Sequence, residues 1–329
     1  MGIIVSTMQG SFGRFSNVGR KVLTDQVIAL RKAVLARADT QGPAKALWKM
    51  LIEPVQADIQ AAGAKTLVVS FSDELRYLPL AALQSPEDRY LVEDYALALW
   101  TSAADTRAAP SASPWSVSAL GLTQARAGFP ALPGVLKELN GIVRGTETVG
   151  GHSGVLPGNI VLDGQFNRRA FESALSGRSN VVHVASHFDF KPGDESRSVL
   201  LLGEGEPLSL GQLAVMDFGR VEQLTLSACD TATGGGVNEN GAEVEGLAAV
   251  VLRQRAQSVL ATLWKVADDS TARLMHDFYA ARGVQNPLSR AQALRQAQLQ
   301  MLRGSEPGTG SGWRHPYYWA PFVLSGNWL

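Results

Sequence analysis

The sequence predicts an α/β protein built on a mostly parallel sheet, and three observations carry that expectation. Short runs rich in Val, Ile and Leu alternate with segments whose apolar residues recur at helical spacing. The helical segments are long enough to act as crossovers between parallel strands. The chain has 329 residues, 45% of them hydrophobic, enough for one large domain or two modest ones with a sizeable core. No internal repeat of about 20–50 residues is visible, which excludes a solenoid.

Along the chain, Ile3–Met8 and Arg14–Leu23 read as short strands around the turn Gly10-Ser11-Phe12-Gly13. Val27, Leu30, Val34 and Leu35 then fall on one helical face, with Thr24 or Asp25 as cap. A second helix is expected from Pro43, with Leu47, Leu51, Val55 and Ile59 at i, i+4 spacing and Pro43 in its first turn. Gly63 ends it, and Thr66–Phe71 is a buried strand, after which Asp73-Glu74 turns into Tyr77–Leu80. Between about Ser102 and Pro114 the composition shifts to Ala, Ser and Pro. That stretch reads as a linker, dividing an N-terminal subdomain, 1–113, from a second, 114–329. Beyond it, strands are expected at Val117–Leu122, Val181–Ser186, Ser198–Leu202, Val221–Ser227, Gln257–Trp264 and Trp319–Leu324. Helices are expected at Val135–Val143, Asn167–Leu175, Glu243–Arg255, Asp268–Arg282 and Leu288–Leu302.

Charge narrows the function classes. Lys and Arg together number 30, as do Asp and Glu, and a net charge of zero argues against a dedicated nucleic-acid binder. One cysteine excludes an intramolecular disulfide and a multi-cysteine zinc site, and points to a reducing compartment, so a cytoplasmic location is expected. No run approaches the ~18 apolar residues of a membrane span, and no secretory signal precedes the first strand. Met1–Ser6 fits the loose pattern for N-myristoylation, but Ile3-Ile4-Val5 reads better as the start of a strand.

Two expected strands end in reactive side chains at the edge where open α/β sheets form their sites. One is Val181-Val182-His183-Val184-Ala185-Ser186-His187; the other is Leu224-Thr225-Leu226-Ser227-Ala228-Cys229-Asp230, followed by Gly234-Gly235-Gly236. With both strands in one sheet, His187 and Cys229 emerge from the same solvent-facing edge, as a Cys–His nucleophile pair requires. Asp230, Gly234 and Gly235 follow the nucleophile, and the glycines leave space for a substrate backbone. The competing reading of Cys229 is a buried structural thiol. His183 and His187 share the i, i+4 spacing of a helical zinc pair, but on a strand they stand about 13 Å apart and cannot share an ion. No Gly-rich turn has the spacing of a nucleotide loop, so no metal or organic cofactor is expected.

Several blocks together resemble the CHAT family, caspase-like cysteine peptidases often fused to tetratricopeptide repeats and related to separase and gingipain. They are Leu75–Leu83, Tyr90–Ala96, His183–His187, Leu226–Thr231, Ser258–Val266 and His315–Val323, and the likeness runs from about residue 20 to the C-terminus. The resemblance implies a caspase-like three-layer α/β/α catalytic subdomain over 114–329, preceded by a degenerate caspase-like subdomain over 1–113. It implies a cysteine endopeptidase with His187 and Cys229 as its dyad and the backbone N–H groups of Phe188 and Cys229 as its oxyanion hole. His183 corresponds to the family's upstream strand histidine, in a structural or supporting role. The family normally carries Gly after the catalytic histidine, and this sequence has Phe188. Leu263–Asp268 resembles a separase segment whose acidic residues lie near the pocket for a basic P1 side chain, which makes Asp268 a substrate-binding candidate. Its alternative role is to cap the helix that begins there. The expected partners are a protein substrate and a regulatory or sensor element of tetratricopeptide-repeat type. The rival function is a catalytically inactive scaffold that binds partners through the same cleft.

Overall fold

The structure, a computed structural model, describes residues 1–8, 10–101, 109–111, 114–145, 154–189, 198–227, 247–266, 268–283, 287–304 and 310–329. It opens on the hairpin β1 (Gly2–Thr7) and β2 (Gly10–Phe15), then α1 (Arg20–Leu35), α2 (Gln41–Leu51) and α3 (Gln56–Ala61). Next come β3 (Thr66–Val69), α4 (Leu91–Asp94), β4 (Ala96–Leu99), β5 (Val117–Gly121), α5 (Gly134–Ile142), β6 (Gly158–Leu162) and α6 (Arg168–Ser176). They are followed by β7 (Val181–Ala185), β8 (Phe188–Asp189), β9 (Val199–Leu200), β10 (Leu208–Ser209), α7 (Leu210–Leu213) and β11 (Gln223–Leu226). A helix described over 247–253 (α8), β12 (Ser258–Thr262), α9 (Asp268–Ala281), α10 (Arg290–Arg303) and β13 (Phe322–Gly326) complete the chain.

Eight strands form one sheet in the order β3-β4-β13-β12-β11-β7-β5-β6. Every pairing in it is parallel except that of β12 with β13. β6, β5, β7, β11 and β12 therefore run one way, and β13, β4 and β3 the other. All residues of β7, β11 and β12 are buried, which requires cover on both faces of the sheet and gives the layered α/β fold. Their Val and Leu content suits that position, since β-branched residues pack well on a pleated surface. The expected subdomains 1–113 and 114–329 both contribute to this sheet: β3 and β4 join it through the β4–β13 pairing.

Several expected boundaries are corrected. The first hairpin turns between Thr7 and Gly10, so the glycines expected in the turn lie in β2. α1 begins at Arg20 with Gly19 as its N-cap, a turn earlier than a cap at Thr24 or Asp25 would allow. The single helix expected beyond Pro43 is broken at Ile52–Val55, because Pro54 has no N–H for an intrahelical bond. β4 and β6 were not expected as strands, and β13 starts at Phe322 rather than Trp319. The cap of α6 is as its sequence predicts, with the Asn167 side chain accepting from the Ala170 N–H at 3.0 Å. Most of the expected linker, 102–108 and 112–113, lies outside the described residues. Among the described residues no helix is long and apolar enough to cross a membrane.

Candidate active site

β7 and β11 are adjacent and parallel, with Gln223 opposite Val181 and Leu226 opposite Val184. The pairing continues past the strand end, where the Ser227 N–H donates to Val184 O at 2.9 Å. Both strands thus end at one edge of the sheet. Cys229, Asp230, Gly234 and Gly235 lie outside the described residues. Asp268 opens α9, and its side chain is likewise outside the description.

His187 was expected to face solvent, and here the structure corrects the sequence: it is 0% exposed. The connection between β5 and α5 covers it. The Phe129 ring lies 5.0 Å from the imidazole, centroid to centroid, at 37°. Nε2 stands 2.8 Å from the carbonyl oxygen of Pro130. A carbonyl only accepts, so Nε2 carries the proton and Nδ1 is the basic nitrogen of the neutral ring.

That covering connection is itself tied down. Arg126 and Phe129 exchange backbone hydrogen bonds across the tight turn Ala127-Gly128, whose φ values of 51° and 86° are both left-handed. Turns of this kind match the natural twist of a hairpin, at a small steric cost for the alanine. At the end of β6, Asp163 accepts from the Thr123 N–H at 2.7 Å, the Thr123 hydroxyl at 2.6 Å and the Gln124 N–H at 3.2 Å. Arg126 donates to Gly205 O at 2.8 Å.

Phe188 begins β8, which pairs antiparallel with β9. The Leu201 N–H donates to His187 O at 2.9 Å, so Phe188 and Leu200 form the non-hydrogen-bonded pair of this ladder. The Phe188 N–H is therefore turned away from β9. Phe188 is 3% exposed and belongs to the hydrophobic core, so the side chain standing where the resemblance implies glycine is absorbed by packing.

Beneath this edge runs a buried polar network. His183, 0% exposed, pairs through Nε2 with Glu138 Oε1 at 3.0 Å and through Nδ1 with the Tyr279 hydroxyl at 3.1 Å. The Tyr279 hydroxyl donates to Thr225 Oγ1 at 2.8 Å, and the Ser227 hydroxyl donates to the same Glu138 Oε1. Burial pushes the Tyr279 phenol far above its usual range, so it stays neutral and serves only as a hydrogen-bonding group. The network joins α5, α9, β7 and β11. A cleft of about 890 Å³ between β1 and β3 has none of these residues in its lining.

Glu138, Ser227, Tyr279, Phe129 and Pro130 were not singled out from the sequence. Glu138 did carry a signal: it stands on the apolar stripe Val135, Leu139 and Ile142, where a carboxylate needs a partner. The Pro130 carbonyl carried none, since backbone groups reach a site only through tertiary packing.

No curated protein matches the sequence. Among solved structures, the separase–securin complex of Saccharomyces cerevisiae is 13% identical with a TM-score of 0.45, covering 85% of this chain and 17% of that one. The complex of Porphyromonas gingivalis RgpB pro- and mature domains is 10% identical with a TM-score of 0.40, covering 65% of this chain and 47% of that one. The Arg-specific cysteine proteinase gingipain R is 11% identical with a TM-score of 0.38, with the same 65% and 47% coverage. This chain thus spans less than half of each of those chains, and likeness at this level transfers no activity. The family model for the CHAT domain, in contrast, matches residues 41–327, and the chain belongs to the CHAT domain family.

Proposed function

We propose that the chain is a cysteine endopeptidase in which His187 and Cys229 form the dyad. The observation that carries this reading is the imidazole at the end of β7, beside β11, with Nε2 bonded to Pro130 O. Cys229 stands three residues beyond the end of β11 in sequence. His187 Nδ1 takes the thiol proton, the thiolate attacks a peptide carbonyl, and the imidazolium returns the proton to the leaving amine. The N–H groups of Phe188 and Cys229 hold the oxyanion; the direction of the Phe188 N–H supports that role. Water then hydrolyses the thioester. Asp230, Gly234, Gly235 and Asp268 line the substrate path, with 1–113 as a partner subdomain to the catalytic 114–329. The substrate is a protein, and a tetratricopeptide-type element regulates cleavage.

The burial of His187 under Phe129 favours a second reading, an inactive scaffold that binds partners through the same cleft. Digestion of a diverse peptide library, read by mass spectrometry, separates the two. Cleavage that vanishes in Cys229→Ala and in His187→Ala supports the peptidase. Cleavage that survives Cys229→Ala, or a wild-type chain whose Cys229 a thiol-reactive peptidyl probe fails to label, overturns it.

A further inference from the structure

We infer that Glu138 is a positioning residue for the reaction, holding the ends of β7 and β11 together through His183 and Ser227. The inference rests on the reading of His187 and Cys229 as the dyad and names a residue that acts on it from below. Glu138 is 4% exposed, on a helix face otherwise made of Val135, Leu139 and Ile142. A buried carboxylate is unfavourable unless its charge is paired and hydrogen-bonded, and an apolar side chain would fill such a stripe more simply. What the carboxylate adds is a bond to each of the two strands. His183, on β7, precedes His187 by four residues, and Ser227, just after β11, precedes Cys229 by two.

Backbone pairing alone already sets the register of β7 against β11. The side-chain tie adds to that register a hold on the twist and height of the strand end at Ser227. Side chains two apart on a strand lie on one face, so Ser227 continues the face of Thr225. Thr225 is itself bonded through the Tyr279 hydroxyl to His183. Both positions are thus tied to His183, Thr225 through Tyr279 and Ser227 through Glu138. A dyad needs its reacting atoms aligned closely, and a misplacement of about 1 Å can cost roughly a hundredfold in rate.

The chain's one cysteine makes the test direct, because alkylation by iodoacetamide reports Cys229 alone. In the wild-type chain the alkylation rate against pH should show an inflection well below the ordinary thiol value of about 8.5. His187→Ala should move it back to that value. Ser227→Ala should move it part of the way and lower kcat about tenfold or more, with KM within about twofold. Ser227→Thr, which keeps the hydroxyl, should restore both. Glu138→Leu, where near-UV circular dichroism shows it folded, removes both ties and should behave as Ser227→Ala. A Ser227→Ala chain with the wild-type inflection and kcat, whatever its melting temperature, overturns the positioning role. If His187→Ala also leaves the inflection unmoved, the dyad reading has failed and takes this inference with it. If His187→Ala moves the inflection and Ser227→Ala does not, only the inference fails.

Discussion

Tyr279→Phe isolates the buried network from the packing around it. The ring is 0% exposed and lies edge-on to Phe278, Trp115 and His183, with centroids 5.1, 6.1 and 5.8 Å away. Phenylalanine keeps those contacts and opens no cavity. It removes one hydroxyl, and with it the bonds to Thr225 Oγ1 at 2.8 Å and His183 Nδ1 at 3.1 Å. A buried group left without its partner costs about 1–3 kcal/mol, so two such groups imply a loss of about 2–6 kcal/mol. With a urea dependence of about 3 kcal/mol per molar, the unfolding midpoint falls by about 0.7–2 M. The pH dependence adds a second signature. In the folded chain burial raises the phenol far above its ordinary value of 10.0, while the unfolded chain ionises near that value. The stability contribution is therefore full below pH 10.0 and is lost as pH rises beyond it. Above that point the wild-type chain loses about 1.4 kcal/mol per pH unit that the variant does not lose. Paired urea titrations across this range measure both effects. A midpoint change worth less than about 0.5 kcal/mol, or a difference between the two chains that stays flat through pH 10, refutes the reasoning.

The remaining predictions concern the elements that surround His187. A Cβ at Gly203 would meet the Asp163 carbonyl oxygen at 1.8 Å. Gly203→Ala should therefore displace the staple of the β5–α5 connection and cost more than about 2 kcal/mol in urea unfolding. Phe129→Ala should uncover His187, raising its rate of modification by diethyl pyrocarbonate about tenfold by peptide mapping, with a stability loss of about 1–2 kcal/mol for a half-buried ring. Asn167→Ala removes the cap of α6 and should cost about 1 kcal/mol by thermal unfolding, with catalytic behaviour unchanged.

Local chemistry explains which parts of this fold could be read in advance. β7, β5 and β12 are short apolar runs whose character depends on their own residues, so they stood out directly. α10 likewise announces itself, with Ser289 and Gln292 exchanging capping bonds at its start. β6 begins with Gly158 and Asn159, both exposed, and owes its strand state to pairing with β5. Such pairing is a property of the sheet and leaves little trace in the segment. The direction of β13 is hidden for the same reason, since a strand's sequence reads alike whichever way its neighbour runs. At the candidate site the side chains with reactive groups were visible by type. The groups that orient them were not: Pro130 acts through its carbonyl, and Glu138 and Tyr279 arrive from α5 and α9.

The seam between β4 and β13 has a consequence for how the chain acquires its structure. Leu99 and Ser325 are partners across it, although five of the sheet's eight strands lie between them in sequence. Closing so long a loop adds little to the equilibrium cost, since each doubling of loop length adds only about 0.6 kcal/mol. Its effect is on time, because distant pairings form slowly and only after their intervening parts are in place. During synthesis β3 and β4 emerge early and must wait, with one flank unpaired, until β13 leaves the ribosome. β12 waits for the same strand from the other side. Loss of β13 would therefore open two edges at once, and each would offer a neighbouring chain a row of unpaired backbone groups.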